Sequence, residues 1–185
     1  MIILKSRSET APWYVWHKGL TSETQSYLQL NGTGDDTQNT SVWNNTAPTS
    51  SVFSTLSNYS IGNNSEAVAY CFHDVTGYSK FGSYNGTGGT HTVTTGFKPA
   101  FLLIKRTDSG GDWNIRDITR SPTNPVGDAL YPNLSYAEYN GTETYLNFLD
   151  TGFQLTGNWA SSNGSGASYI YMAFADKREY AYWLD

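Results

Sequence analysis

A single cysteine, two methionines and no run of basic residues longer than a pair set the first limits on this 185-residue chain. With Cys71 alone, no disulfide can close within the sequence, so the fold must rest on a packed core rather than on covalent staples. Cys71 sits in the apolar run Ala67-Val68-Ala69-Tyr70-Cys71-Phe72, where a buried small hydrophobe is expected. The basic pairs Lys105-Arg106 and Lys177-Arg178 stand in a chain of net charge −5, which offers no surface for tracking phosphates. Nucleic acid is therefore not an expected partner. Only Met1-Ile2-Ile3-Leu4 is apolar before Lys5 and Arg7 intervene, too short for a signal-peptide core or a membrane span, and a soluble chain without membrane insertion is expected. Apolar residues at helical spacing between a cap and a glycine are also missing, so helix content should be very low.

What is abundant points to strands. Aromatic residues make up 15% of the chain, with fourteen Tyr, eight Phe and six Trp, and they alternate with turn-forming Gly, Asn, Ser and Thr. Aromatic and β-branched side chains suit a pleated, half-buried surface. Short runs bounded by turn residues predict strands at 2–5, 13–17, 27–30, 51–56 and 67–73, then at 79–84, 90–95, 100–106, 113–118, 144–149, 154–156 and 168–175. Phe101-Leu102-Leu103-Ile104 is apolar on both faces and should be central in its sheet. Asn85-Gly86-Thr87-Gly88-Gly89 reads as the tight connection of a hairpin joining 79–84 to 90–95.

The second half of the chain resembles the first. Ile3-Leu4-Lys5 matches Leu103-Ile104-Lys105, and Trp13 matches Trp113 at the same offset. Each half closes with a turn rich in Gly, Asn and Ser, at 61–65 and 163–166, feeding an aromatic strand that ends in Phe-X-Asp at Asp74 and Asp176. A duplicated supersecondary unit with length changes in loops accounts for this. The expected organisation is a first repeat at 1–76 lacking its leading hairpin, a complete second repeat at 77–176 and a strand-like tail at 177–185. Glu179-Tyr180-Ala181-Tyr182-Trp183-Leu184 in that tail occupies the place that Gly77-Tyr78-Ser79-Lys80-Phe81 occupies after Asp74. It is expected to supply a strand to the incomplete first repeat or to a neighbouring subunit.

Catalytic and metal-binding patterns find little support. Asp112 and Asp117 flank Trp113-Asn114-Ile115-Arg116, but an odd spacing on a strand places side chains on opposite faces, whereas a glycosidase pair must flank one bond. Ser165 in Gly164-Ser165-Gly166 lacks the spacing of a nucleophile elbow. His17, His73 and His91 are scattered, without ligand spacing for a transition metal. Calcium could be sought at Asp35-Asp36, or at Asp108 with Asp112, yet neither spacing fits a recognised loop. No enzyme activity, metal or cofactor is assigned. Flat aromatic faces beside amide side chains are instead the chemistry that sugar rings use: C–H surfaces stack while hydroxyls take directed hydrogen bonds. The candidates on turn-rich stretches are Trp43 with Asn44 and Asn45, Tyr131 with Asn133, Tyr136 with Tyr139 and Asn140, and Trp159 with Asn158.

Several motifs carry a family resemblance. Tyr78-Ser79-Lys80-Phe81-Gly82-Ser83-Tyr84, Gly96-Phe97-Lys98-Pro99-Ala100-Phe101, Ile104-Lys105-Arg106-Thr107-Asp108 and Asp112-Trp113 resemble a motif string of tail and virion structural proteins of bacterial viruses. Asn124-Pro125, Phe148-Leu149-Asp150-Thr151-Gly152-Phe153, Ile170-Tyr171-Met172-Ala173-Phe174-Ala175 and the segment from Trp43 to Phe53 extend the likeness over nearly the whole chain. The resemblance implies an all-β, antiparallel β-sandwich of concanavalin-like or jelly-roll-like kind built from two diverged repeats. It also implies a bacteriophage virion surface protein, a tail-fibre-like adhesin module that binds host-surface carbohydrate. Its partners would be copies of itself, other virion proteins and the host glycan. Such a protein is assembled in the host cytoplasm and carried on the particle. The other reading is a capsid-decoration or cement subunit without glycan binding.

Overall fold

A computed structural model of the chain describes residues 1–55, 66–141 and 145–176. Among these residues there is no helix. Twelve strands form three antiparallel sheets in two compact units, Met1–Phe72 and His73–Asp185. The break falls before His73, where the sequence placed it after residue 76. Residues 73–75 are tied forward: the Ser79 hydroxyl donates to the His73 carbonyl at 2.9 Å, and Asp74 Oδ1 accepts from the Phe81 amide at 2.9 Å.

The first unit holds β1 (Ile2–Ser6), β2 (Tyr14–Trp16), β3 (Ser26–Gln29), β4 (Thr37–Gln38) and β5 (Ala67–Cys71) in one sheet of order β4-β3-β2-β1-β5. Ile2 and Leu4 of β1 alternate onto one face and pack with Tyr14, Val42 and Trp43, with Phe53 against their rim. The two-residue strand β4 is too short to show a period and was not anticipated. Residues 51–55, expected to begin a strand, form none. The 61–65 turn lies outside the described residues.

The second unit holds β6 (Ser79–Asn85), β7 (His91–Thr94), β8 (Pro99–Arg106), β9 (Asn114–Asp117), β10 (Leu146–Leu149), β11 (Gly152–Leu155) and β12 (Ser168–Ala175). One sheet has the order β6-β12-β8-β9 and the other β10-β11-β7. Their inner faces meet in a sandwich-like core: Leu102 and Ile104 of β8 and Tyr169, Tyr171 and Ala173 of β12 pack with Leu146, Phe148, Phe153 and Leu155. Tyr84 stacks on Tyr169 with ring centroids 5.1 Å apart, and Phe153 meets Tyr171 edge-on at 5.3 Å. Leu103, Ile170 and Met172 are buried on the opposite face, so the central strands are covered on both sides.

Two expectations need correction. β6 and β7 do not form a hairpin with each other; β6 pairs with β12 and β7 with β11, so residues 86–90 carry the chain from one sheet to the other. Gly86 permits this because its backbone runs against residues 163–164, where a Cβ would come within 2.3 Å of the Gly164 carbonyl oxygen. Cys71 is exposed rather than buried. It lies on β5, which ends its sheet and, unlike β12, has no further strand beside it among the described residues.

The units share local geometry. β1 lies between β2 and β5 as β8 lies between β9 and β12. Lys5 Nζ donates to the Ser6 carbonyl at 2.9 Å, and Lys105 Nζ to the Arg106 carbonyl at 2.8 Å. The Trp13 amide donates to Asn31 Oδ1 at 2.9 Å and the Trp113 amide to Asn133 Oδ1 at 3.0 Å. Tyr27 pairs with Thr37, and Ala129 with Tyr139.

Candidate functional site

The loops that join β6 to β7 and β11 to β12 gather at one end of the second unit, and a single buried amide fixes them. Asn163 is 1% exposed. Its Nδ2 donates to the Gly89 carbonyl at 2.6 Å and to the Gly157 carbonyl at 2.8 Å, while its Oδ1 accepts from the Thr87 amide at 2.9 Å. The core tyrosines hold the same loop from below. Tyr84 donates its hydroxyl to the Ser162 carbonyl at 2.6 Å and Tyr169 to the Ala160 carbonyl at 2.7 Å. Burial raises the pKa of both hydroxyls, most strongly at Tyr84, so they remain protonated donors.

On this rim stands Trp159, half-buried, with its ring centroid 4.8 Å from that of Tyr145. Asn158 beside it is exposed, and its Oδ1 accepts from the Ser165 amide at 3.2 Å. An aromatic pair, an adjacent amide and loops held by several hydrogen bonds make a pre-shaped edge able to stack against a flat C–H surface and direct a hydrogen bond. Tyr145 was missed from sequence because it stands at the head of a strand that enters the core.

The other candidates fall elsewhere. Trp43 is fully buried and donates Nε1–H to the Ser26 carbonyl at 2.9 Å; it is a core residue of the first unit, not a ligand platform. The exposed Asn44 and Asn45, with φ of 52° and 47°, turn the chain away from it, and Asn45 Oδ1 accepts from Gln25 at 2.9 Å. Tyr131, half-buried, Tyr136, 75% exposed, Tyr139 and the exposed Asn140 lie on the long connection between β9 and β10. Tyr139 is held by its backbone pairing with Ala129, and its ring lies over Gly141.

A cavity of about 480 Å³ opens at the opposite end of the β8–β12 pair, with Lys98, Ile118, Ser121, Asn124, Phe148 and Asp176 in its wall. Its polar groups are largely committed: Asn124 bridges the Phe148 backbone in both directions and Ser121 donates to Asp128 at 2.8 Å. Phe148 is 3% exposed, so the cavity presents no open aromatic face.

Asp117 accepts from the amides of Thr119 and Arg120 and pairs with the Arg120 guanidinium, and Asp112 accepts from Asn133 at 2.6 Å. Both carboxylates hold loops. Asp108 pairs with Arg106, whose hydrogen bond lowers its pKa, and Asp36 accepts from the Thr21 amide at 2.7 Å. His17 accepts from the Gly19 amide at 3.0 Å inside its unit, and His91 lies against Tyr84 at 5.6 Å. Among the described residues no group of three or more His, Cys, Asp or Glu is placed to hold a metal ion.

Residues 1–178 match a family described as a domain of unknown function, DUF7483. The chain belongs to the DUF7483 family. The DUF7483 match runs across both compact units and includes the Trp159 rim, the cavity and the open strand β5. No curated protein and no solved structure matches this DUF7483 chain.

Proposed function

We propose that this chain is a non-enzymatic carbohydrate-binding module of a bacteriophage particle, an adhesin of tail-fibre type displayed on the virion surface. The Trp159 rim is its glycan contact. The observation that carries this reading is the pairing of half-buried Trp159 and Tyr145 beside exposed Asn158, on loops fixed by buried Asn163. The motif likeness to tail and virion proteins supports the setting. Tyr136, Tyr139 and Asn140 are a second, more weakly organised group of exposed candidates. The matching hydrogen bonds of Lys5 and Lys105, and of Trp13 and Trp113, favour two diverged copies of one ancestral unit.

The test is a glycan array probed with the intact chain, followed by titration of the glycans that score. Trp159→Ala should weaken binding at least about tenfold, the equivalent of ~1.4 kcal/mol, with little change in melting temperature. Tyr136→Ala should have a smaller effect. Undiminished binding by Trp159→Ala and Tyr145→Ala would remove the rim from the reading; an array without any bound glycan would count against the adhesin itself.

A second reading, a decorating or cementing subunit of the particle, is favoured by the exposed strand β5, on which Ala67, Ala69, Tyr70 and Cys71 all face solvent.

A further inference from the structure

We propose that β5 is an acceptor edge for strand addition and that its occupant is the 178–184 segment of a second copy of this chain. Among the described residues β5 pairs with β1 alone in the sheet of the first unit. The ladder fixes which groups point outward. The Arg7 amide donates to the Glu66 carbonyl at 2.7 Å and the Phe72 amide to the Met1 carbonyl at 2.9 Å, so residues 66, 68, 70 and 72 direct their backbone groups at β1. The N–H and C=O groups of Ala67, Ala69 and Cys71 therefore point to the open edge. Four of the five β5 side chains are exposed, two of them apolar alanines and one a 47% exposed tyrosine. Such an edge is a template for another strand.

The second unit contains the solved form of the same problem. β12 occupies the place of β5, and its outer edge is filled by antiparallel β6, with Ala173 opposite Lys80, Met172 opposite Phe81 and Tyr171 opposite Gly82. The sequence offset from Phe72-His73-Asp74 to Phe174-Ala175-Asp176 is 102 residues, and the same offset carries Tyr78 to Tyr180 and Phe81 to Trp183. Residues 181–184 of that segment, which lie outside the described residues, thus stand in sequence where residues 79–82, the first part of β6, stand after β5. Transferring the β6–β12 register puts Tyr182 opposite Cys71, Trp183 opposite Tyr70 and Leu184 opposite Ala69.

Side-chain size agrees with that register. Between β12 and β6 the large partner is Tyr171 and the small one Gly82, where an added Cβ would lie 2.7 Å from the tyrosine ring. Across β5 the sizes exchange: Ala69 is the small residue and Leu184 the large one. Cys71 likewise leaves room for Tyr182. The volumes are complementary in both pairs; at Ala69–Leu184 the bulk moves from the acceptor strand to the incoming one, while Cys71–Tyr182 keeps the small-to-large order of Ala173–Lys80. Because donor and acceptor are different surfaces, the contact is head-to-tail and builds rings or open chains rather than a two-fold dimer.

The lone native cysteine makes the register testable in the intact chain. Tyr182→Cys places a second thiol opposite exposed Cys71, and oxidised glutathione can take up the two electrons and two protons released as the disulfide forms. Chains joined to one another by that bond are expected, whereas Trp183→Cys, on the other face of the strand, should link at least tenfold less. A disulfide closed within a single chain of the Tyr182→Cys variant would overturn the second-copy occupant, and equal linking by both variants would overturn the register. Sedimentation velocity provides an independent arm. The wild type should associate with rising concentration, and both Ala69→Pro, which removes one outward N–H without touching the β1 ladder, and deletion of 177–185 should shift the midpoint at least tenfold. A wild type that stays monomeric throughout, or association unaffected by both variants, would overturn the proposal.

Discussion

Asn163 ties the β6–β7 loop to the β11–β12 loop through three hydrogen bonds of one side chain. Replacing it with alanine leaves the Gly89 and Gly157 carbonyls and the Thr87 amide without their present partners in a partly buried setting. Unpaired buried groups of this kind cost about 1–3 kcal/mol each when water cannot reach them, and partial relaxation brings the expected total for Asn163→Ala to roughly 2–4 kcal/mol. Urea unfolding followed by circular dichroism measures it. The same substitution should weaken glycan binding along with stability, because the rim loses its shape, whereas Trp159→Ala should separate the two. A loss below about 0.5 kcal/mol would mean that solvent already satisfies these groups. Trp43 makes the complementary point: it shares with Trp159 a turn-rich, asparagine-flanked sequence, yet its indole N–H reaches the Ser26 carbonyl inside a core while Trp159 stays at the surface. Residue type and neighbours did not separate them. What did was the approach of β3, a strand distant in sequence, which the residues around Trp43 do not encode.

At the scale of elements, short runs bounded by turn residues located most strands to within two residues, and the two-sided apolar run at 101–104 correctly marked β8 as central in its sheet. All-β architecture was legible because aromatic-rich runs between turn-forming residues are a local property. Sheet membership was not. The 85–89 segment has the glycines of a hairpin, but Gly86 serves a close approach to residues 163–164, and that neighbour comes from the far end of the unit. Burial of Cys71 was inferred from an apolar run that β12 repeats in buried form; the difference is that β12 has β6 at its edge and a second sheet over its face. Hydrogen exchange should display that contrast directly. The outward amides of β12, Tyr169, Tyr171 and Ala173, are expected to exchange at least about a hundredfold more slowly than Ala67, Ala69 and Cys71 of β5 in dilute solution, since the latter open without breaking a ladder. Raising the concentration should slow exchange selectively at the three β5 amides. Uniform protection of both strands at every dilution would show that another segment already covers the β5 edge.

For the molecule as a whole, the tyrosine-rich core sets a one-sided dependence on pH. Burial raises the pKa of Tyr84 well above its ordinary value, raises that of Tyr169, and pushes Tyr171 up to about 12, with the Asp74 carboxylate adding to the effect at Tyr171. In the unfolded chain each would lose its proton near pH ~10. Between that pH and the raised folded values the native state holds more protons than the unfolded one, so stability must fall as pH rises. Below the unfolded pKa both states keep the proton and these tyrosines contribute no slope. Thermal melts should therefore show little tyrosine-linked change from about pH 7 to 9 and a steep decline from about pH 10 upward. All three rings belong to the core of the second unit, so β8 and β12 should lose exchange protection before β1 and β2 as the solution is made alkaline. Reversible tyrosinate absorbance that appears in full near pH ~10 with the native fold retained would mean that these hydroxyls are reached by solvent, and the rim they support would then lack the rigidity that glycan stacking requires.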